Sequence, residues 1–276
     1  MYWVYDLPNW LFGVLTVATS CAFGVAGVAF TRKWVPSLHH DDLPYNDIVG
    51  FFFGSITVLY GIFLGLLMVG VWDTFSDAEA KVDHEAGVLT MLFRDAGGYP
   101  EPTRTQIQDL LRQYNKNILE VTWPQQRKGL ITAANKTVLD DLGAVLTAYE
   151  PKTEGQKILH TEAYNQYNEL ILARRGRHVS AAAGLSRNMW TLVLAGAAIN
   201  IAVSWCFHVK ILRMHLCMTA LLSALLGLMI FLLAAMDHPF RGRVSVSPES
   251  FQLVWDRLIR PGAENSMAQP VAPERH

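Results

Sequence analysis

The chain has little of what bond-making chemistry is built from. It holds 3 cysteines in 276 residues. Cys21, Cys206 and Cys217 lie in or at the edge of apolar runs with no CxxC pair, so the expected state is reduced and buried, which reports little about redox compartment. No nucleophile elbow, P-loop, GxGxxG or HExxH occurs. The histidines are scattered, and Asp83-His84-Glu85, the one acidic–His triplet, is read as a solvated face because consecutive helical residues point apart. The run His39-His40-Asp41-Asp42 sits in a proline-flanked loop with no preformed geometry for an ion. A membrane hydrolase on Asp73, His84 and Asp237 is the best enzyme reading and has no motif behind it. The expectation is a protein that is not an enzyme and needs no metal or cofactor. Charge is scarce and balanced, with Lys+Arg 23 against Asp+Glu 24, so bulk electrostatics point to no nucleic-acid partner.

Apolar residues are what is plentiful. At 51% hydrophobic and 17% charged, with several long charge-free runs, the composition departs from that of soluble domains. Four runs are long enough to cross a bilayer: residues 10–30, 49–72, 189–207 and 216–236. The first is no cleaved leader by pattern, because the segment before it carries Asp6 and no Lys or Arg, and its apolar stretch is too long. The second, Val49–Trp72, carries no charge and as a helix reaches roughly 36 Å. It ends on Trp72-Asp73, an aromatic anchor followed by a charge. Ala18, Ser20, Gly24 and Gly27 in the first span are spaced to admit another helix closely.

Four spans put both termini on one face with the long 73–188 insert. The short opposite loops carry Arg32, Lys33, Lys210 and Arg213, which by the positive-inside rule leans towards an external insert. Arg174, Arg175, Arg177 and Arg187 before the third span, and Arg241 and Arg243 after the fourth, pull the other way.

The insert reads as helical. Val82, Ala86, Leu89 and Phe93 form one stripe on a rod that continues the second span. Ile107, Leu110, Leu111, Tyr114, Ile118 and Val121 form the stripe of a second helix, which Trp123-Pro124 is expected to break. A third, near 132–149, turns Val138, Leu142, Val145 and Leu146 inward. A fourth starts near Thr153 and is expected to run unbroken into the third span. Asn200 and Ser204 share one face of that span, and an interhelical hydrogen bond is the favoured reading. The expected fold class is an all-α membrane protein: two transmembrane pairs (1–72 and 189–236), a helical extramembrane domain (73–188) continuous with spans 2 and 3, a post-membrane turn and amphipathic helix (237–260), and a disordered tail (261–276).

Two stretches carry a resemblance. FLGLLMVGVWDTF (63–75) resembles the second transmembrane helix of bestrophins, and DHPFRGRVSVSPESF (237–251) the segment after their fourth span. From the second span to Arg260 the chain is similar to bacterial bestrophin-like membrane proteins of unassigned function. The resemblance implies a homopentameric anion channel in a bacterial inner membrane, with self, lipid and small inorganic anions as partners and the helical bulk cytoplasmic. Carried onto this chain, the neck of the pore falls at Val58, Ile62 and Leu66, one per turn on one face, where apolar side chains suit gating by dewetting. Ser55, Thr57, Trp72, Asp73, Arg241 and Arg243 are the expected pore-mouth residues. The chain departs from the family in two places: the neck is aliphatic rather than aromatic, and no carboxylate lies between Asp237 and Glu249 to clasp calcium. The competing reading is a non-conducting, membrane-anchored interaction or sensor protein.

Overall fold

The computed structural model describes residues 8–33, 45–130, 134–242 and 244–259. The loop run at 39–42, Arg243 and the tail from 261 lie outside the described residues. The elements are α1 (Asn9–Thr31), α2 (Tyr45–Ala96), α3 (Thr103–Asn117), a π-helical turn (Ile118–Thr122), α4 (Trp123–Arg127), α5 (Lys136–Ala148), α6 (Glu154–Ala181), α7 (Arg187–Trp205), α8 (Leu212–Met236) and α9 (Glu249–Val254), followed by a second π-helical turn (Trp255–Ile259). No strand occurs among the described residues. Four helices are long and apolar enough to cross a membrane: α1, α2, α7 and α8. The expected class, an all-α membrane protein with a helical domain between spans 2 and 3, is what forms.

The chain divides into two compact units. The first takes in α1, α2 up to Phe75, α7 and α8. In it α1 packs mainly on α8. The small residues explain the fit: a Cβ on Gly24 would run into Ser223, and one on Gly27 into the Trp205 ring. Tyr60, Leu64 and Val71 of α2 share a core with Val193, Ala197 and Ile201 of α7 and Leu226, Leu233 and Met236 of α8. All three cysteines are free, but Cys206 and Cys217 are exposed rather than buried. An apolar run says that a residue is in a membrane helix; it does not say which way the residue faces.

The second unit takes in Ser76–Ala183, Pro239–Arg241 and the chain from Ser245. Its core is built from the stripes read in sequence, with Val82, Ala86, Leu89 and Phe93 buried on α2, Ile107, Leu111, Tyr114 and Ile118 on the second helix, and Val138, Leu142 and Leu146 on α5. Leu110 and Val145 are only half-buried, and Val121, 36% exposed, drops out. The reason is the π-helical turn, whose wider winding rotates everything after Ile118 out of a 3.6-residue pattern. That turn also lets the chain pass Trp123-Pro124 without stopping, since Pro124 falls in the first turn of α4, where no N–H is needed. The expected break at this dipeptide is therefore absent.

One helix expected to be continuous is not. α6 stops at Ala181 and α7 starts at Arg187. Ser186 caps α7, its hydroxyl accepting from the Met189 N–H at 3.4 Å. Gly184 in the intervening turn lies against the His238 ring, where any Cβ would collide. By contrast α6 opens as read, on a capping box between Thr153 and Gln156.

Candidate functional site

The second span turns two different faces outward and inward. Tyr60, Leu64 and Val71 point into the first unit's core, while Val58, Ile62 and Leu66 are 61%, 58% and 70% exposed. At about 100° per residue those three stand along one side of the helix, roughly opposite the buried line. The flanks of that line are open too: a Cβ added at Gly54, Gly61 or Gly65 on one flank, or at Gly70 on the other, would meet nothing within 4 Å. A helix side that offers both backbone and large aliphatic groups can admit a close neighbour or frame a narrow apolar gap.

The other expected mouth residues do not stay together. Ser55 shares the bare side, its hydroxyl donating back to the Phe51 carbonyl at 2.9 Å. Trp72 and Asp73 are also exposed. Thr57 turns inward, and its hydroxyl donates to Asn200 Oδ1 at 2.9 Å. Asn200 is thus the interhelical bond expected of it, with its amide also donating to Gly196 O at 2.9 Å. Ser204 donates within its own helix, to Ile201 O at 2.6 Å. Arg241 belongs to the second unit and donates to Gly129 O at 3.3 Å, over a turn in which Gly129 has φ 74°.

Two buried acidic centres escaped the reading by motif. Asp237, 3% exposed, accepts from the Leu185 backbone N–H at 2.5 Å and from Trp190 Nε1 at 3.0 Å. It closes the end of α8 onto the start of α7. Glu85 was expected on a solvated face and is fully buried instead. Arg177 donates to both of its oxygens, from Nε at 2.6 Å and from Nη2 at 3.1 Å, in the bidentate geometry that suits a buried pair. Tyr114 adds a third hydrogen bond to Glu85 at 2.6 Å, and Arg177 Nη1 donates to Gln126 Oε1 at 2.9 Å. Burial works against the guanidinium charge, but the Glu85 carboxylate more than offsets it and holds Arg177 above its ordinary range. Burial, then the neighbouring Glu85 charge, push the Tyr114 phenol well up.

The signal for Glu85 was present. It stands three residues after Val82 and four before Leu89, on the apolar stripe itself, so the rod's rotation buries it. The neighbours Asp83 and His84 do face solvent, with Asp83 accepting from Ser250 at 2.5 Å and His84 paired to Glu169 at 2.9 Å. Among the described residues no group of three or more His, Cys, Asp or Glu is placed to hold a metal ion.

Comparisons with known proteins agree with this architecture. A substitution variant of a bacterial bestrophin homologue from Klebsiella pneumoniae superposes with a TM-score of 0.66 at 12% identity, covering 93% of this chain and 99% of that one. The structure of a Klebsiella pneumoniae bestrophin homologue phased on zinc gives 0.63 at 13%, over 86% and 93%. A crystal structure described as that of a membrane protein gives 0.68 at 12%, over 88% and 96%. At such identities the likeness shows the fold alone. The comparison with curated proteins returned no match. The Bestrophin-like domain model matches residues 18–251, and the chain belongs to the Bestrophin-like family.

Proposed function

We propose that this chain assembles with copies of itself, five by family resemblance, into an anion-permeable channel of a bacterial inner membrane, with α2 around the axis. The observation that carries the reading is the bare side of the second span, where Val58, Ile62 and Leu66 stand exposed beside glycines with nothing packed on them. Lipid tails are covered as well by any apolar side chain and call for no glycine row. A ring of close-set helices does call for one, and the three aliphatics would then form a neck that passes ions when it wets.

The test is current. The purified chain, reconstituted in planar bilayers under a chloride gradient, is expected to conduct with a reversal potential on the chloride side. Ile62→Ala is expected to raise that current by widening the neck. An absence of current in every gating condition, with the oligomer intact, would leave the membrane-anchored interaction module as the better reading.

A further inference from the structure

We infer that the loop end of the membrane unit holds a binding pocket for a phosphate group. The pocket has a volume of about 270 Å³ and is lined by Arg32, Trp205, Phe207, His208, Val209, Lys210 and His215. Among the described lining residues four are basic types and none is acidic. Every one belongs to the first unit.

Its walls are fixed before any ligand arrives. Asn46, at the start of α2, grips the 206–210 turn with both amide atoms. Its Nδ2 donates to His208 O at 2.8 Å and its Oδ1 accepts from the His208 N–H at 2.9 Å. Arg32 Nη2 reaches the Lys210 carbonyl at 3.4 Å, which lays the end of α1 against the same turn. His215 is buried and bonds through Nε2 to the Ser204 carbonyl at 3.0 Å. A carbonyl only accepts, so that nitrogen carries the proton.

The donors outnumber their acceptors. Among the described residues Arg32 spends a single N–H on the protein and Lys210 has no acidic partner. The indole Nε1 of Trp205 is buried without a hydrogen-bond partner among the described residues. A buried donor without an acceptor is a cost that an oxyanion within its reach would remove. Guanidinium, ammonium and indole N–H groups together suit a tetrahedral oxyanion, with Arg offering a planar fork and Lys a point charge. The volume lies under the roughly 300 Å³ at the small end of drug-sized pockets, so the ligand is a phosphate or a phosphodiester with a short substituent. Trp205 and Phe207 beside Arg32 and Lys210 form the aromatic-and-basic combination of the bilayer interface, where a lipid headgroup supplies that chemistry. Free inorganic phosphate supplies it equally. The inference stands or falls apart from conduction, since it concerns binding to the membrane unit itself.

Native mass spectrometry of the full, delipidated chain decides it, with phosphatidylglycerol, diacylglycerol of the same tails, and inorganic phosphate as separate probes. A lipid source predicts phosphatidylglycerol retained at least tenfold more strongly than diacylglycerol, with the preference lost in Arg32→Gln/Lys210→Gln. A free source predicts inorganic phosphate bound alone and lost in the same variant. Trp205→Phe keeps a smaller aromatic ring and removes the N–H, and is expected to weaken binding about threefold. Arg32 and Lys210 are exposed, so these changes leave the fold intact, and Lys210→Arg is expected to retain binding. Lys33→Gln is the control, a basic neighbour that does not line the pocket. The site is refuted if Lys33→Gln weakens binding as much as Arg32→Gln does, if the double variant keeps the phosphate preference, or if neither phosphate probe binds.

Discussion

Along Val49–Val71 the second helix leaves Val58, Leu59, Ile62, Leu66 and Val69 bare and buries only Tyr60, Leu64 and Val71. Along Ala78–Ala96 of the same helix the order reverses. There Val82, Val88, Leu89, Leu92 and Phe93 are buried, and the bare positions are charged or polar, with Ala80 and Met91 the exceptions. Backbone and winding are the same in both stretches; what differs is the medium each was selected against. Water punishes every exposed aliphatic group, whereas a bilayer or a ring of like helices does not. Polar groups follow the same division. The span half uses its hydroxyls to tie neighbouring helices, Tyr60 donating to Val193 O at 2.7 Å and Thr57 to Asn200. The extramembrane half buries a full charge, Glu85, and matches it with Arg177.

The largest effect is expected where that charge is unmatched. Arg177→Met leaves a buried carboxylate without its partner and should cost about 3–5 kcal/mol, read from the thermal or denaturant unfolding of the purified chain. Removing both charges in Glu85→Gln/Arg177→Met should recover part of that loss, because an apolar replacement of a whole pair is tolerated better than half of one. Equal loss in the single and double variants would mean that the pair is not what holds Tyr114 and Gln126 in place.

Leu64→Ala and Leu66→Ala sharpen the comparison between the two sides of the span. Leu64 is 6% exposed and Leu66 70%. Truncation of Leu64 is expected to cost about 2–5 kcal/mol by opening a cavity. Truncation of Leu66 should change stability by less than about 0.5 kcal/mol and appear in the current instead. If Leu66→Ala destabilises as strongly as Leu64→Ala, that side is packed shut and frames no gap. Thr57→Val is a smaller version of the same test. Loss of its hydrogen bond to Asn200 should cost about 0.6 kcal/mol, with no change in conduction, because the hydroxyl faces the neighbouring helix.

Most of the fold could be read because two periodicities and four charge-free runs report directly on burial. The stripe at Val82–Phe93 is buried as written, the stripe at Ile107–Ile118 is buried except for the half-buried Leu110, and all four apolar runs form helices long enough to span. The departures from the sequence pattern are local. A π-helical turn is invisible to a 3.6-residue pattern, so Val121 and Pro124 were misplaced. The stop between α6 and α7 depends on a Ser cap and on Asp237, fifty-odd positions away in sequence and reached only through the fold. For the candidate site, the bare side of α2 follows from the packing of Tyr60 and Leu64, which no uniformly apolar segment can reveal from within. Glu85 is legible in the sequence: a charge on an apolar stripe asks for a partner, and Arg177 sits at the matching position of α6, seven residues after the buried Leu170.

The last test asks whether the extramembrane half feels its charges beyond the pair itself. His178 follows Arg177, and its pKa is lowered to about 4 by burial first, then by the Arg177 and Arg174 charges, with Glu85 opposing. The folded value lies below the unfolded value of about 6.5, so on acidification the unfolded chain takes up the proton first. The stability contributed by the neutral ring is therefore whole above about pH 6.5 and drains away as pH falls towards 4. The ring keeps some solvent contact, which screens the effect, so the expected fall in Tm between about pH 7 and about pH 4.5 is only on the order of 3 °C. His178→Gln should flatten this slope while leaving the value near neutrality almost unchanged. A variant that keeps the full slope would assign the acid sensitivity to the carboxylates, and the contrast between the two halves of α2 would then rest on Glu85 and Arg177 alone.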